Sequence, residues 1–213
     1  MESGQDPTAD IGGRFAEAGQ IIREGWTPAD PGPLGLGAFA MTTFVLSMFN
    51  ANLVGSGGEP VVFGLALAYG GIAQLLAGMW EFRTGNTFGA LAFSSFGAFW
   101  ISLFVFEVFF AGSIPEADIG HAAGVYLWAW AIFTSYMFIA SLRTTGAVAL
   151  VFVLLAITFV LLAIGASGGH ENVTHWGGYF GLATAAAAWY ASFAAVTNST
   201  FGRTVLPVWP LNE

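Results

Sequence analysis

The chain has 213 residues, of which 56% are hydrophobic and 8% are charged, and its formal net charge is −8. A soluble domain is normally about a quarter charged, so this composition excludes an ordinary soluble domain. It predicts an all-α, multi-pass protein of the cell membrane. The absence of Cys excludes disulfides and thiolate metal sites, and the scarcity of basic residues argues against a nucleic-acid partner.

The same composition bears on cofactors. The chain has no Lys, so it cannot hold a retinal as a Schiff base. The three His residues, His121, His170 and His175, fall outside the transmembrane spans predicted below, which argues against a haem held between helices. We therefore predict no cofactor, no metal site and no enzymatic activity.

Residues 1–29 form an acidic segment that we assign to the cytoplasm. Within it, Ile11, Phe15, Ala18 and Ile22 recur at helical spacing. This pattern predicts a short amphipathic helix on the membrane surface. The helix either packs beneath the transmembrane bundle or plugs a path through it.

Six apolar runs follow, each near the roughly 20 residues that cross a bilayer. They predict one transmembrane domain over residues 30–200, followed by a cytoplasmic tail over residues 201–213. The predicted spans are Leu34–Val54, Val61–Trp80, Phe88–Ala111, Ala122–Leu142, Ala147–Ala166 and Trp176–Thr197. All five Arg lie outside these spans, on the side that the two termini share. The positive-inside rule therefore places both termini in the cytoplasm.

Polar residues are concentrated in and between the second and third spans. Polar groups at membrane depth cost free energy unless they are paired or face water, so they indicate a functional path by default. Gln74 either bonds to another helix or lines a pore. The first span also carries a polar run. The candidate path-lining residues from this argument are Thr42, Thr43, Asn50, Gln74, Asn86, Thr87 and Ser95.

The first and third spans both begin on the predicted cytoplasmic side. Asp30 is a plausible N-cap for the first, and Thr84, Asn86 or Thr87 for the third. Free backbone N–H groups at helix N-termini attract anions. With Arg83 nearby, these two helix ends predict an inner vestibule that attracts a small anion.

Two carboxyl groups lie near the ends of the predicted spans. Glu81 is either a surface or interfacial charge, with a partner such as Arg83 or a cap, or a proton-linked or gating carboxylate. Glu107 either extends to the membrane interface or marks the outer end of a path. The sequence leaves both pairs of alternatives open.

Four blocks of residues resemble conserved motifs of the acetate uptake transporter family, the succinate–acetate permeases of microbes. They are Asp30–Leu36, Tyr69–Gly71, Gly85–Gly89 and Phe201–Pro207. The resemblance implies a six-helix protomer in a homohexamer, with a separate pore in each subunit. It implies transport of acetate and related short carboxylates, usually coupled to protons. A passive anion channel and a non-transporting membrane sensor remain alternatives.

The resemblance also implies functional residues. Leu34, Gly35 and Tyr69 fall within its motifs and are predicted to line the path. A hydrophobic constriction in the family corresponds here to Phe39, Phe96 and Leu155.

The chain departs from the family at three positions. Phe96 replaces Tyr, Asp30 replaces Asn, and Phe49 stands where relatives commonly carry His. Phe96 cannot donate a hydrogen bond to a carboxylate, and a charge on Asp30 competes with an anion unless the helix N-terminus binds it. Because no Arg or Lys lies in a predicted span, we expect the neutral acid or a partly hydrated anion to pass the constriction.

Overall fold

The computed structural model describes residues 28–211, so the predicted amphipathic helix lies outside the described residues. Within that range, six helices are long and apolar enough to cross a membrane. We number them α1 (Gly32–Asn50), α2 (Val61–Thr84), α3 (Thr87–Ser113), α4 (Glu116–Ser141), α5 (Gly146–Gly168) and α6 (Glu171–Phe201). The all-helical, multi-pass fold predicted from composition is confirmed.

Short polar and glycine-containing segments set the helix ends. Pro31 occupies the N-cap position of α1 in place of the predicted Asp30, and its side chain forms no capping hydrogen bond. Asp30 lies one residue earlier, and its Oδ1 accepts a hydrogen bond from Gly32 N at 2.8 Å. Of the three caps predicted for α3, Asn86 takes the position, and its Oδ1 accepts from Gly89 N at 3.0 Å.

Two helices are longer than their apolar runs. α4 begins at Glu116 instead of Ala122, and α6 extends from Glu171 to Phe201. Consequently His121 and His175 lie inside helices, in the polar turns that precede the predicted apolar runs of α4 and α6. Hydropathy marks only the part of a helix that suits lipid, whereas backbone hydrogen bonding continues through polar turns beyond it.

A π-helical turn, Ala68–Ala73, interrupts α2 immediately before Gln74. Two glycines in this turn allow close packing on both sides. A Cβ at Gly70 would lie 2.6 Å from Thr42 Oγ1 in α1, and one at Gly71 would lie 2.7 Å from the Ile101 side chain in α3. The wider turn shifts the register of every later residue in α2 and so changes the direction in which Gln74 points.

The six helices surround one buried interior. α1 packs against α6, α6 against α5 and α5 against α4, while α2 packs against both α1 and α3. Every helix contributes to a single buried cluster, which includes Phe39, Ala66, Phe96, Ala131, Phe152 and Ala188. The protomer therefore has a common interior between its helices where a path can form.

The segment after α6 folds back onto the start of α5. Gly146 N donates to Trp209 O at 2.6 Å, and Ala147 N donates to Val208 O at 3.2 Å. Asn198 Oδ1 accepts from Val205 N and Leu206 N at 2.7 and 2.9 Å. The first backbone N–H groups of α5 are thereby bonded to the protein itself.

Candidate transport path

A cavity of about 320 Å³ lies next to both ends of the described chain, since Asp30 and Val208 line it. We call it the Asp30 cavity. Its polar lining comprises Asp30, Glu81, Asn86, Thr144, Thr145 and Asn198. Its apolar lining includes Leu36, Ala92, Phe93 and Phe152, and these four residues also line a second, much smaller cavity. The two cavities are therefore neighbours.

The second cavity, which we call the Gln74 cavity, has a volume of about 20 Å³. This is little more than the roughly 10–15 Å³ that one water molecule needs. The three residues predicted to form the constriction all line it, namely Phe39, Phe96 and Leu155. Each is at most 5% exposed, and the Phe39 and Phe96 ring centroids lie 5.7 Å apart. The structure thus brings them together, while their role as a constriction stays a prediction.

Phe96 is surrounded by aromatic rings. Its centroid lies between 5.4 and 6.4 Å from five others, those of Phe39, Trp130, Phe133, Phe152 and Phe159. Except for Phe39, these neighbours were not predicted from the sequence. The available signal was spacing, because Phe152, Leu155 and Phe159 recur at intervals of three and four residues and must share a helix face.

A third cavity, about 200 Å³ in volume, lies on the other side of these rings, and we call it the Glu59 cavity. Phe99 and Phe159 line it, and their ring centroids lie 5.3 Å apart. Asn50 and Glu59 are shared with a wider depression of about 500 Å³, so the cavity continues towards the surface. The Glu107 carboxyl also lines it, consistent with the second of its two predicted roles.

Carboxyl groups line both large cavities. Asp30 and Glu81 line one, and Glu59 and Glu107 line the other. Burial raises the pKa of the Glu59 carboxyl above its ordinary value. No Arg or Lys is among the described residues that line either cavity. Arg83 is exposed in the last turn of α2, two residues from Glu81, and is not among the residues that line the Asp30 cavity.

The helix N-termini at the Asp30 cavity are capped by the chain's own oxygen atoms. Asp30 and Asn86 accept the bonds described above, and Thr145 Oγ1 accepts from Val148 N at 3.2 Å. The Asp30 carboxyl is thus hydrogen-bonded to the N-terminus of α1. This is the condition under which a negative charge in place of Asn would not compete with an incoming anion. Fewer first-turn N–H groups are then available to an incoming anion than we expected from the sequence.

Glu81 is buried, with 2% of its surface exposed. Thr84 Oγ1 lies 3.1 Å from its Oε2 and 2.9 Å from its backbone oxygen, and can donate to either. The carboxyl also packs against Gly89, at the start of α3. The packing of α2 against α3 covers the side chain, so Glu81 is a buried carboxyl with Thr84 as a partner, and its role as a paired charge or a gating carboxylate stays a prediction.

Several other predicted path residues do not line the three cavities. Leu34 and Thr87 are exposed, Tyr69 and Ser95 are half-buried, and Gly35, Thr42 and Thr43 are buried. Helix packing explains two of them. Gly35 lets the Phe93 ring approach α1 closely, and Thr42 Oγ1 donates to Ala38 O at 3.0 Å within α1. Asn50, Gln74 and Asn86 do line cavities.

Comparison with known proteins identifies the relatives of this chain. Residues 19–213 match the model of the GPR1/FUN34/yaaH family. The chain is 39% identical over 180 residues to the succinate-acetate/proton symporter SatP of Escherichia coli K12, covering 84% of this chain and 95% of that protein. It is 42% identical over 195 residues to Ammonia transport outward protein 2 of Saccharomyces cerevisiae, covering 86% of this chain and 69% of that protein.

A solved structure of the bacterial acetate channel SatP shares the fold, with a TM-score of 0.80 and 38% identity. It matches over 85% of this chain and 99% of that one. The family and this structural neighbour are transporter or channel proteins. These matches confirm the family resemblance, the membrane location and the prediction that the protein is not an enzyme.

Proposed function

The chain belongs to the GPR1/FUN34/yaaH family, and we therefore propose that it moves acetate and related short-chain carboxylates across the membrane through the three cavities of each protomer. We further propose that the neutral acid is the species that crosses the Gln74 cavity, so that one proton accompanies each carboxylate. One observation carries this choice: within residues 28–211, carboxyl groups and no Arg or Lys line the Asp30 and Glu59 cavities, and a buried apolar cluster lies in the interior.

The energetics favour the neutral acid. Moving a bare carboxylate into a low-dielectric site costs tens of kcal/mol by Born estimates, and such a group normally takes up a proton instead. The Gln74 cavity supplies no cationic side chain that could offset this cost. Like charges at Asp30 and Glu59 would also lower the local concentration of an anion.

A passive anion channel is the first alternative, because the relative of known structure is described as an acetate channel. It requires the anion to keep part of its hydration shell through the aromatic cluster. The non-transporting sensor is the other alternative from the sequence, and it requires that the cavities never connect. Orientation with both termini in the cytoplasm and assembly as a homohexamer also remain proposals.

Movement of ammonium is a second candidate function. It is suggested by the yeast relative named for ammonia transport, and the carboxyl groups at both large cavities favour it. A cation is attracted by carboxylates and by the faces of aromatic rings. Uptake of labelled methylammonium by vesicles that contain the protein is the direct measurement for this candidate.

The purified protein in liposomes separates these possibilities. We expect labelled acetate uptake above that of protein-free vesicles, which corrects for acid that crosses the lipid itself. Acetate should also acidify the vesicle interior and produce no net current. A current that reverses at the acetate equilibrium potential, without acidification, would establish the anion channel instead. Failure to move acetate under any gradient would refute transport and support the sensor.

A further inference from the structure

Gln74 is placed where a polar side chain has the largest influence on what passes. It follows the π-helical turn Ala68–Ala73 in α2 and is 1% exposed. Among the described residues that line the Gln74 cavity, it is the only polar one, and none is titratable. The surface that the cavity exposes is hydrocarbon, and the Gln74 amide borders it behind the surrounding side chains.

The Oε1 atom of Gln74 has no hydrogen-bond partner within residues 28–211. Buried polar atoms in folded proteins nearly always have a partner, so each exception calls for a reason. Three other buried atoms share this state, in Thr43, Ser94 and Trp100, but none of those residues lines any of the three cavities. Gln74 alone combines an unpaired acceptor with a position in the path.

We propose that Gln74 selects the protonated carboxylic acid by accepting a hydrogen bond from its hydroxyl group at Oε1. The inference rests on the proposed transport of short carboxylates and names the residue that recognises the transported species. A carboxylic acid offers one donor and one acceptor, and a primary amide offers the same pair. The two can form a pair of hydrogen bonds, with the amide Nε2 donating to the acid carbonyl.

The carboxylate anion cannot form this pair. It has acceptor oxygens only, so one of them would face Oε1 with no hydrogen between them. A buried amide therefore favours the acid over the anion without carrying a charge itself. Selection then depends on the protonation of the substrate and not on the titration of any residue at the constriction.

The size of the cavity is compatible with recognition of one functional group at a time. About 20 Å³ accommodates a group of water size, so the carboxyl group can reach Gln74 only if neighbouring rings move aside. The amide itself is held on a packed part of α2, next to the closely packed Gly70 and Gly71. The recognising group is fixed, and the hydrophobic residues around it adjust.

The variant Gln74→Met tests this role because Met has a similar length and no amide. We expect acetate uptake into liposomes to fall about 10-fold, the loss expected for one hydrogen bond to the substrate. Thermal stability in detergent should stay the same or rise, since a buried unpaired polar group has been removed. A residue with a purely structural role would lose stability together with uptake.

Ser94→Ala is the matched control. Ser94 also carries a buried, unpaired oxygen within the described chain, but it faces Gly78, where α2 and α3 pack. We expect its uptake rate to equal that of the parent protein. A loss of uptake in both variants would assign the effect to helix packing and overturn the proposal.

Two further measurements address the hydrogen bond itself. Near pH 5, within about one unit of an ordinary carboxyl pKa, much of the acetate is protonated, and near pH 7 little is. The parent protein should transport at a rate that follows the undissociated acid, whereas Gln74→Met should show a weaker preference for it. Acetamide, a neutral molecule with a donor and an acceptor, should inhibit acetate uptake by the parent and not by the variant.

The outcomes separate this inference from the proposed function. Uptake by Gln74→Met at the parental rate, or unchanged acetamide inhibition, overturns the role of Gln74 while leaving transport established. An absence of acetate uptake by the parent protein overturns the proposed function itself. A slower variant with unchanged stability and no acetamide inhibition supports the proposal.

Discussion

Gln74 and Glu81 lie on one helix, seven residues or about two turns apart, yet their polar groups are treated in opposite ways. Both are at most 2% exposed. The Glu81 carboxyl, at the Asp30 cavity, has Thr84 as a hydrogen-bond partner, whereas Gln74 Oε1, in the centre, has no partner within the described chain. The Glu81 carboxyl, at one end of the proposed path, therefore has a hydrogen-bond partner, whereas the central Gln74 Oε1 has none within the described chain.

The difference teaches where to look for substrate recognition. A buried carboxyl that is bonded and packed against a helix start contributes to the structure at that end. A buried amide whose oxygen lacks a partner within the described chain, next to a cavity, costs stability, and natural proteins tolerate such costs mainly at functional sites. Removing the two side chains should therefore have opposite effects on stability and on transport.

The largest effect is expected from Leu155→Ala, which enlarges the Gln74 cavity. The lost contacts and the new space should reduce stability by about 2–5 kcal/mol. Water could then reach Gln74 and satisfy its amide, so selectivity for the acid should weaken, and larger acids such as lactate or succinate should enter. The measurement is the ratio of labelled succinate to labelled acetate uptake.

Leu150→Ala provides the control for this variant, because Leu150 lies on the same helix and is 50% exposed. Its substrate ratio should match that of the parent. An unchanged ratio in a folded Leu155→Ala protein would place Leu155 outside the constriction.

Glu81→Ala should destabilise the protein by about 1–3 kcal/mol, because it removes the hydrogen bond from Thr84 to the carboxyl and the packing of that carboxyl against Gly89. For a protein of this size, each kcal/mol lowers the thermal midpoint by roughly 2–4 °C. Glu116→Ala, at an exposed position, should change the midpoint much less. Midpoint shifts of the same sign and similar size in Glu81→Ala and Gln74→Met would contradict the expectation that the two side chains have opposite effects on stability.

Phe96→Tyr should produce a moderate effect by adding a hydroxyl donor beside the Gln74 cavity, as relatives with Tyr have. The hydroxyl can bond to Gln74 Oε1 or to a carboxylate, and one such bond contributes about 1 kcal/mol. We expect weaker preference for the undissociated acid, measured as uptake across a pH series. Phe109→Tyr, at a 64% exposed position, is the control. An unaltered pH series for Phe96→Tyr would separate Phe96 from recognition by Gln74.

The smallest effect concerns Glu59, on the other side of the aromatic cluster. Its raised pKa means that the folded protein keeps a proton on Glu59 where the unfolded chain has lost it. The stability from this group is therefore complete below the ordinary carboxyl pKa and declines as pH rises through the raised pKa. Glu59→Gln should remove that decline, so the variant should gain stability over the parent as pH rises through this interval.

Thermal midpoints across a pH series measure this difference, with Glu116→Gln as the control for removal of one negative charge. The effect should be small because Glu59 is only half-buried and remains partly solvated. A gap between the two midpoints that does not change with pH would contradict the assignment to Glu59.

Much of the fold was predictable because it depends on composition and hydropathy. Six apolar runs determine six helices, since an unpaired backbone cannot cross lipid. The motif resemblance selected Phe39, Phe96 and Leu155, which the structure brings to one cavity. The helix ends were less predictable, since polar residues at the start of α4 and α6 continue the helices beyond their apolar parts.

The candidate site was only partly predictable. Periodicity shows which residues share a helix face, but it does not say whether that face meets lipid, another helix or a cavity. Thr42 and Gly35 looked like path residues and pack between helices, whereas Phe159 was missed and stacks against Phe96. Arg83 looked like part of an anion vestibule and is not among the residues that line the Asp30 cavity.

The sequence by itself determined a multi-pass helical protein of a transporter family, because hydrophobic content and the order of the motifs can be read without knowing how the helices pack. Only the tertiary structure decided that Glu81 is buried and bonded, while Gln74 Oε1 is buried and has no partner within residues 28–211. The physical reason is that a polar group's free energy depends on its neighbours in space. Those neighbours come from other helices, brought close by glycines and by a π-helical turn in α2.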